Sequence, residues 1–395
     1  MKIFKFELTR FILNKRNKYL LTLISALIVF YAAYSTLSFI SFFGQNQISV
    51  LSENTKSNKK EALDNINSLE SVLKSSKLIS EIDNTRNSIS DMTKNVNLYQ
   101  SQIDALSNKN VNEYYALQKE LDKIQLAENT NQLNSEQENK RLNQEIKYID
   151  TVQNRHLNFE VLPSPQSHAF GNFQQQFIPI LSSSLFIVLF ASMVSITIAS
   201  GYEAKENQLY QFTGIDSRKT LLAKVCSGTL ATFVWLLVSG LVYFIIIGSV
   251  NGFGNWNYPA YLANASLTTG YTITNLTIPN GIVDIGSLFY LFFVIFFLAS
   301  LGALISVFVK RSMVVVGVIA LLVLGYSMIE NVGWIVPFHR YIPMSYFSPL
   351  TLFGNPSSLA GRYSLLVGAT YLFILSGAFL FFAHLMLKNQ KLRRI

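Results

Sequence analysis

Residues 285–309 read IGSLFYLFFVIFFLASLGALISVFV, a run of aromatic, aliphatic and small residues without a single charge. At 1.5 Å per helical residue the run reaches about 37 Å, more than the roughly 30 Å of bilayer hydrocarbon. Lipid offers no water to backbone N–H and C=O groups, so the run predicts a membrane-spanning α-helix. Similar runs lie at 176–200, 225–250, 312–334 and 364–386, and a sixth, YLLTLISALIVFYAAYSTLSFISFF, occupies 19–43. Basic residues before that sixth run raise the idea of a cleaved leader, but it is too long and lacks a convincing small-residue cleavage site. Composition agrees with lipid as the solvent: of 395 residues 50% are hydrophobic, 14% are charged and 30 are Phe, and mean hydropathy is positive. Soluble domains carry about a quarter charged residues, so an ordinary cytosolic enzyme is excluded.

The net charge of +9 is unevenly placed. Residues 44–173 hold 14 Lys and Arg against 17 Asp and Glu, net −3, which leaves 18 against 6, net +12, for the apolar remainder. The basic excess is therefore a topology signal and not a nucleic-acid footprint. Lys2, Lys5, Arg10, Lys15, Arg16 and Lys18 precede the first run; Lys205, Arg218, Lys219 and Lys224 separate the second and third. Lys310 and Arg311 separate the fourth and fifth, and Lys388, Lys391, Arg393 and Arg394 follow the sixth. In a six-span chain all four groups fall on one side, which the positive-inside rule makes the cytoplasm. Both termini are then inside and residues 44–173 outside. The only cysteine, Cys226, has no partner for a disulfide, and His156, His168, His339 and His384 are scattered, so no metal set is expected. The missing disulfide framework and the Asn/Lys/Ile-rich wording suggest a bacterial plasma membrane.

The segment 44–173 changes to Asn, Ser, Gln, Lys and Glu, with apolar residues in heptads: Ile82, Ile89, Val96 and Ile103 in one seam position, Met92, Tyr99 and Leu106 in the other. Both ends return to the membrane, so the pattern predicts an antiparallel coiled-coil hairpin turning at Ser107-Asn108-Lys109-Asn110, with arms of about 50 residues or about 75 Å. The seam weakens at Ser75-Ser76 and around Asn129–Asn134, where hinges or extra short helices are expected; a disordered loop is the alternative. The expected fold class is all-α: a polytopic membrane protein with six transmembrane helices and this extracellular hairpin between helices one and two. Residues 1–43 would form an interfacial helix and the first span, 44–173 the outer domain, and 174–395 the other five spans.

The N-terminus, MKIFKFELTRFILNKR, places Phe4, Leu8, Phe11 and Ile12 on one helical face, as an interfacial helix would; a plain basic flank is the alternative. The polar segment NGFGNWNYPAYLANASLTTGYTITNLTIPNG reads as an external loop. WIVPFHRYIPMSYFSPLTLFG, with Pro337, Pro343 and Pro349, reads as short helices dipping into the outer leaflet or as an aromatic interfacial anchor. Asp284 and His384, at span ends, read as interfacial.

No catalytic constellation is present. Gly214-Ile-Asp-Ser-Arg-Lys-Thr220 has Arg218 where a phosphate loop needs glycine, and no GxSxG turn occurs. The informative stretch is GYEAKENQLYQFTGIDSRKTLLAK, residues 201–224, which combines Glu203 and Glu206, the apolar Leu209, Tyr210 and Phe212, then Ser217-Arg218 and Lys224. With the amphipathic N-terminus, six spans and the Pro-rich segment, it resembles the membrane permeases of type-2 ABC exporters over about 240 residues. The resemblance implies that 201–224 is a coupling loop resting on a separate cytoplasmic ATP-binding subunit, which holds ATP and Mg while this chain binds no cofactor. It implies pairing with a second permease copy or paralogue through spans one and five, where Gly317, Ala320 and Gly325 allow close approach. It also implies outward movement of an amphipathic substrate: a peptide or bacteriocin, a drug, or a lipid. Export and protection against antimicrobial peptides are not separable here. Glu330 and Asn331, near the outer end of span five, are candidates for the transport pathway, with Arg340 or a cationic substrate as the partner of Glu330; snorkelling to water is the alternative. The outer domain departs from the family pattern, and residues 50–160 would meet an extracellular or wall partner. A second resemblance, to phage-infection-protein and type VII secretion accessory proteins, implies a non-transporting scaffold or receptor.

Overall fold

The computed structural model describes residues 2–43, 47–75, 79–129, 136–159, 168–204, 206, 210, 216–266, 270–330, 332–353 and 364–392. Six helices among them are long and apolar enough to cross a membrane: Lys15–Phe43, Ser184–Glu203, Ser217–Asn251, Asn280–Val309, Ser312–Ile329 and Leu365–Leu392. The molecule is a helical polytopic membrane protein. Its spans run alternately between a head end, which carries residues 47–159, and a tail end, which carries the N-terminal helix Lys2–Leu13.

The fourth span is the axis of the bundle. Tyr290, Val294, Phe297 and Leu298 pack with Ile187 and Ala191 of the second span, Val315 and Ile319 of the fifth and Leu372 of the sixth. Its other side, Leu291, Ile295, Ala299 and Ala303, packs with Phe190, Leu236 and Tyr243. The second and fourth spans meet at a glycine: a Cβ on Gly302 would lie 2.0 Å from Ser195 Oγ. The first span packs on the third and the fifth on the second, so both sit at the periphery.

The second span departs from the 176–200 reading. Ala169–Asn172, a π-helical turn Phe173–Phe177 and Ile178–Leu181 precede a break at Ser182-Ser183, and the long helix starts at Ser184. Ser183 is extended (φ −67°, ψ 149°). Pro179, lacking an N–H, unsettles the register just upstream.

The head contains four helices, Gln47–Ser75, Ile79–Ser107, Val111–Asn129 and Glu136–Asn154, each packed on the next. Where the heptads suggest two long arms, two pairs of shorter helices pack on each other, and the hinges expected at Ser75-Ser76 and Asn129–Asn134 fall largely outside the described residues. Lys109 ends the second helix in the left-handed region (φ 56°), with Asn110 N–H donating to Ala105 O at 2.8 Å. Asn110 then caps the next helix: its Oδ1 accepts from Glu113 N at 3.2 Å while its Nδ2 donates to Glu113 Oε2 at 2.8 Å. Ile82, Ile89, Met92, Val96, Tyr99 and Ile103 are only half-buried, as in a two-helix seam. The dense core lies at the base, where Leu51, Leu106, Tyr114, Tyr115, Ile149 and Phe159 surround Tyr258.

One element of this helical protein is not a helix. Strands β1 (Pro259–Ser266) and β2 (Gly270–Pro279) form an antiparallel hairpin, Tyr261 opposite Asn275 and Ala265 opposite Tyr271, against the fourth head helix. The alternating β-branched run Tyr271-Thr-Ile-Thr-Asn-Leu-Thr-Ile278 explains it. The Pro-rich segment forms short helices, Val336–Tyr341, Pro343–Tyr346 and Pro349–Phe353. Tyr290 OH donates to Tyr346 O at 2.8 Å and Tyr371 OH to Tyr341 O at 2.7 Å, satisfying carbonyls that short helices leave open.

Candidate functional site

The tail end gathers the 201–224 segment against the N-terminal helix. That helix buries Glu7 and Phe11, both 1% exposed, and half-buries Phe4 and Leu8 against the third span. Ile12 lies on the opposite, exposed side with Phe6 and Leu13, which corrects the single-face reading. Asn17 Nδ2 donates to Phe11 O at 3.0 Å and to Thr197 Oγ1 at 3.2 Å, fastening the helix's end to the second span.

Glu206 is the hub. Arg10 grips its carboxylate with both terminal nitrogens, Nη1 to Oε2 at 2.7 Å and Nη2 to Oε1, and Lys224 Nζ donates to Oε2 at 3.1 Å. A forked guanidinium suits this bidentate geometry. Tyr210 OH donates to Glu7 Oε1 at 2.7 Å, and Lys224 Nζ lies 5.8 Å from the centre of the Tyr210 ring. Gly201 makes room: a Cβ there would lie 2.3 Å from Lys224 Nζ and 2.9 Å from Glu206 Oε2. Glu203 points elsewhere. Its Oε1 accepts from Ser312 N at 2.6 Å and from Ser312 Oγ at 2.9 Å, capping the N-terminus of the fifth span, where a carboxylate also meets the positive end of the helix dipole.

The electrostatics follow from these partners. Burial opposes ionisation of Glu206, but the Arg10 hydrogen bond and the Lys224 and Arg10 charges outweigh it and hold the carboxyl below the ordinary range. The Glu206 bond raises the Arg10 guanidinium in turn. Burial, with the Glu7 bond, pushes the Tyr210 hydroxyl up to about 12. Glu203 and Glu206 are thus engaged within the chain: one braces the fifth span, the other ties the N-terminal helix to the third.

Leu209, Phe212 and Asn331 lie outside the described residues. Ser217 and Arg218 open the third span, where Asp216 Oδ1 accepts from Arg218 N at 3.2 Å and the Arg218 side chain is one-third exposed. Glu330 ends the fifth span, its carbonyl within 2.9 Å of His339 Nε2, while the Arg340 guanidinium lies 4.7 Å from the Tyr341 ring centre. Gly317 and Gly325 face open space and Ala320 is half-buried. Sequence reasoning missed Glu7 and the bracing role of Arg10. The signal was an acid at position 7 on the same face as Phe4, Leu8 and Phe11.

Residues 18–387, head included, match the family described as ABC-2 family transporter protein. The chain belongs to that family. As an ABC-2 protein it is the membrane permease component of an ABC transporter, a transport component that is not itself catalytic. An ABC-2 permease implies a partner ATP-binding subunit and, often, dimerisation. Comparison with curated proteins and with solved structures found no match.

Proposed function

We propose that this ABC-2 permease is one half of an exporter that moves an amphipathic substrate, a peptide, drug or lipid, out of a bacterial cell. Its tail end faces the cytoplasm, where the four basic groups cluster, and its head lies outside. A separate ATPase rests on the segment between the second and third spans and presses through Leu209, Tyr210, Phe212, Ser217 and Arg218. The observation that carries the reading is the bracing of this segment: Glu203 on the fifth span, Glu206 on the N-terminal helix and third span. Displacing it shifts three elements together, which is what a coupling element must do.

A second copy or paralogue pairs through the outward faces of spans one and five. Met313, Leu321 and Met328 are 79%, 72% and 83% exposed around the open Gly317 and Gly325, and Tyr19 and Phe30 are 75% and 71% exposed on the first span. Glu330 and Asn331 stand at the outer end of the pathway, and the head, residues 50–160, recognises an extracellular or wall partner.

Gentle affinity purification from native membranes tests this. The expected result is a stoichiometric ATP-binding subunit whose hydrolysis responds to the permease, with Arg218→Ala weakening that coupling while leaving the purified fold intact. Recovery of external or wall partners alone, with no hydrolysis, overturns it.

A further inference from the structure

The N-terminal helix Lys2–Leu13 has two apolar faces, and the bundle covers only one of them. Phe4, Glu7, Leu8 and Phe11 turn inward, while Phe6, Ile12 and Leu13 stand 57%, 48% and 59% exposed on the other side. At about 100° per residue, Lys5, Phe6, Thr9, Ile12 and Leu13 fall within an arc of about 120°, so they form one outward strip. The face that the sequence offers to the interface through Phe4, Leu8 and Phe11 is taken by protein, and a second one is left over.

The helix lies at the tail-side edge of the hydrocarbon. Phe11 Cε2 is 3.4 Å from the place of a Cβ on Gly228, near the start of the third span's apolar run, 225–250. Beyond Leu13 the chain breaks at Asn14, whose Oδ1 accepts from Arg16 N at 3.0 Å and caps the first span. Lys5 on the strip and Lys15 and Lys18 at this joint are all exposed, and none of the three has a carboxylate partner among the described residues. The one acid of the helix, Glu7, is 1% exposed and accepts from Tyr210 on the inward side. What the helix and its joint turn outward is therefore apolar and cationic, without a negative charge.

An anionic bilayer surface supplies both halves of what such a strip lacks: the acyl boundary for Phe6, Ile12 and Leu13, and phosphates for the lysines. The same helix carries Arg10, which grips Glu206, and Glu7, which accepts from Tyr210. A lipid contact that seats the strip on the leaflet therefore also keeps Arg10 on the carboxylate of the 201–224 segment.

We propose that the outward strip of the N-terminal helix binds anionic phospholipid headgroups of the leaflet at the tail end, with Lys5, Lys15 and Lys18 on the phosphates, and that this lipid holds the Arg10–Glu206 clasp in place. What the clasp does for coupling rests on the ATPase reading; the lipid binding does not, and it is read on this chain alone. Full-length protein is placed in nanodiscs of phosphatidylcholine, with or without phosphatidylglycerol, and hydrogen exchange is followed at residues 2–13. The expected result is exchange slowed about tenfold by phosphatidylglycerol, a difference that shrinks as salt is raised. Lys5→Gln, Lys15→Gln and Lys18→Gln combined abolish the difference, while Lys388→Gln, which removes an exposed cation after the sixth span, keeps it. Equal exchange in both discs, or a difference that survives the triple change, overturns the proposal. Protection that appears only when a cytoplasmic subunit co-purifies gives the strip to a protein and overturns it too. If the triple variant does not insert, a lipid difference in the unmodified protein that ignores salt overturns it.

Discussion

The tail and head ends of the bundle both bury a carboxyl group, in opposite surroundings. At the tail, Glu206 has Arg10 and Lys224 within hydrogen-bond reach, and Glu7 has Tyr210. At the head, Asp284 is more deeply buried and none of its oxygens is bonded. The tail cluster is self-sufficient, so its charges hold elements together; the head carboxyl has no such partner. Fully satisfied networks rigidify a structure, while an unpaired buried polar group is costly.

The contrast is broken most directly by neutralising one charge at each end. Lys224→Met leaves Glu206 short of a partner in a site where Lys224 is 4% exposed, and is expected to cost about 3–5 kcal/mol, read as a lowered unfolding midpoint. Asp284→Leu is expected to do the reverse, stabilising by about 1–4 kcal/mol because an apolar side chain replaces an uncompensated one. Midpoints that move the same way in both variants break the comparison.

Acid sharpens it further. The Glu206 carboxyl is held below its ordinary range, so its contribution is complete above about pH 5 and is lost as pH falls through the folded value. In the head, burial raises Asp122, so its ionisation opposes folding and the head loses stability as pH rises out of the carboxylate range. Hydrogen exchange, corrected for intrinsic rate, should show the N-terminal helix loosening between about pH 5 and 3. Over the same titration the head should tighten, and Asp122→Asn should flatten that response.

The smallest expected effect is that of Tyr210→Phe. It removes one hydroxyl bond to Glu7 and is expected to cost about 1 kcal/mol, with the Arg10–Glu206 pair unaltered in a double-mutant cycle against Arg10→Ala.

Much of this was legible beforehand. Apolar runs located the six spans, with the largest offsets at the third, which begins eight residues early at Ser217, and at the second, where Pro179 and the Ser182-Ser183 break cut the expected helix short. The seam's weak points at Ser75-Ser76 and Asn129–Asn134 fall largely outside the described residues, and the helices beside them end at Ser75 and Asn129. The hairpin of β1 and β2 escaped because a polar, Gly- and Asn-rich context hid an alternation present at 271–278. Glu203 and Glu206 were singled out as acids on a short loop, but read as facing a partner, when each is first engaged by its own chain. Asp284 was read as interfacial from its place near the end of a run, but it is 4% exposed.

The sequence by itself determined which segments enter lipid, because hydrophobicity sums over neighbours and needs no distant contact. It also determined the heptad segment and the placing of the basic groups, which are local patterns of the same kind. Only the tertiary structure decided which charges are paired. Arg10 and Glu206 are 196 residues apart, and Glu203 and Ser312 are 109 apart. A hydrogen bond acts over about 3 Å, so whether a carboxylate is braced like Glu206 or bare like Asp284 depends on how the helices stack.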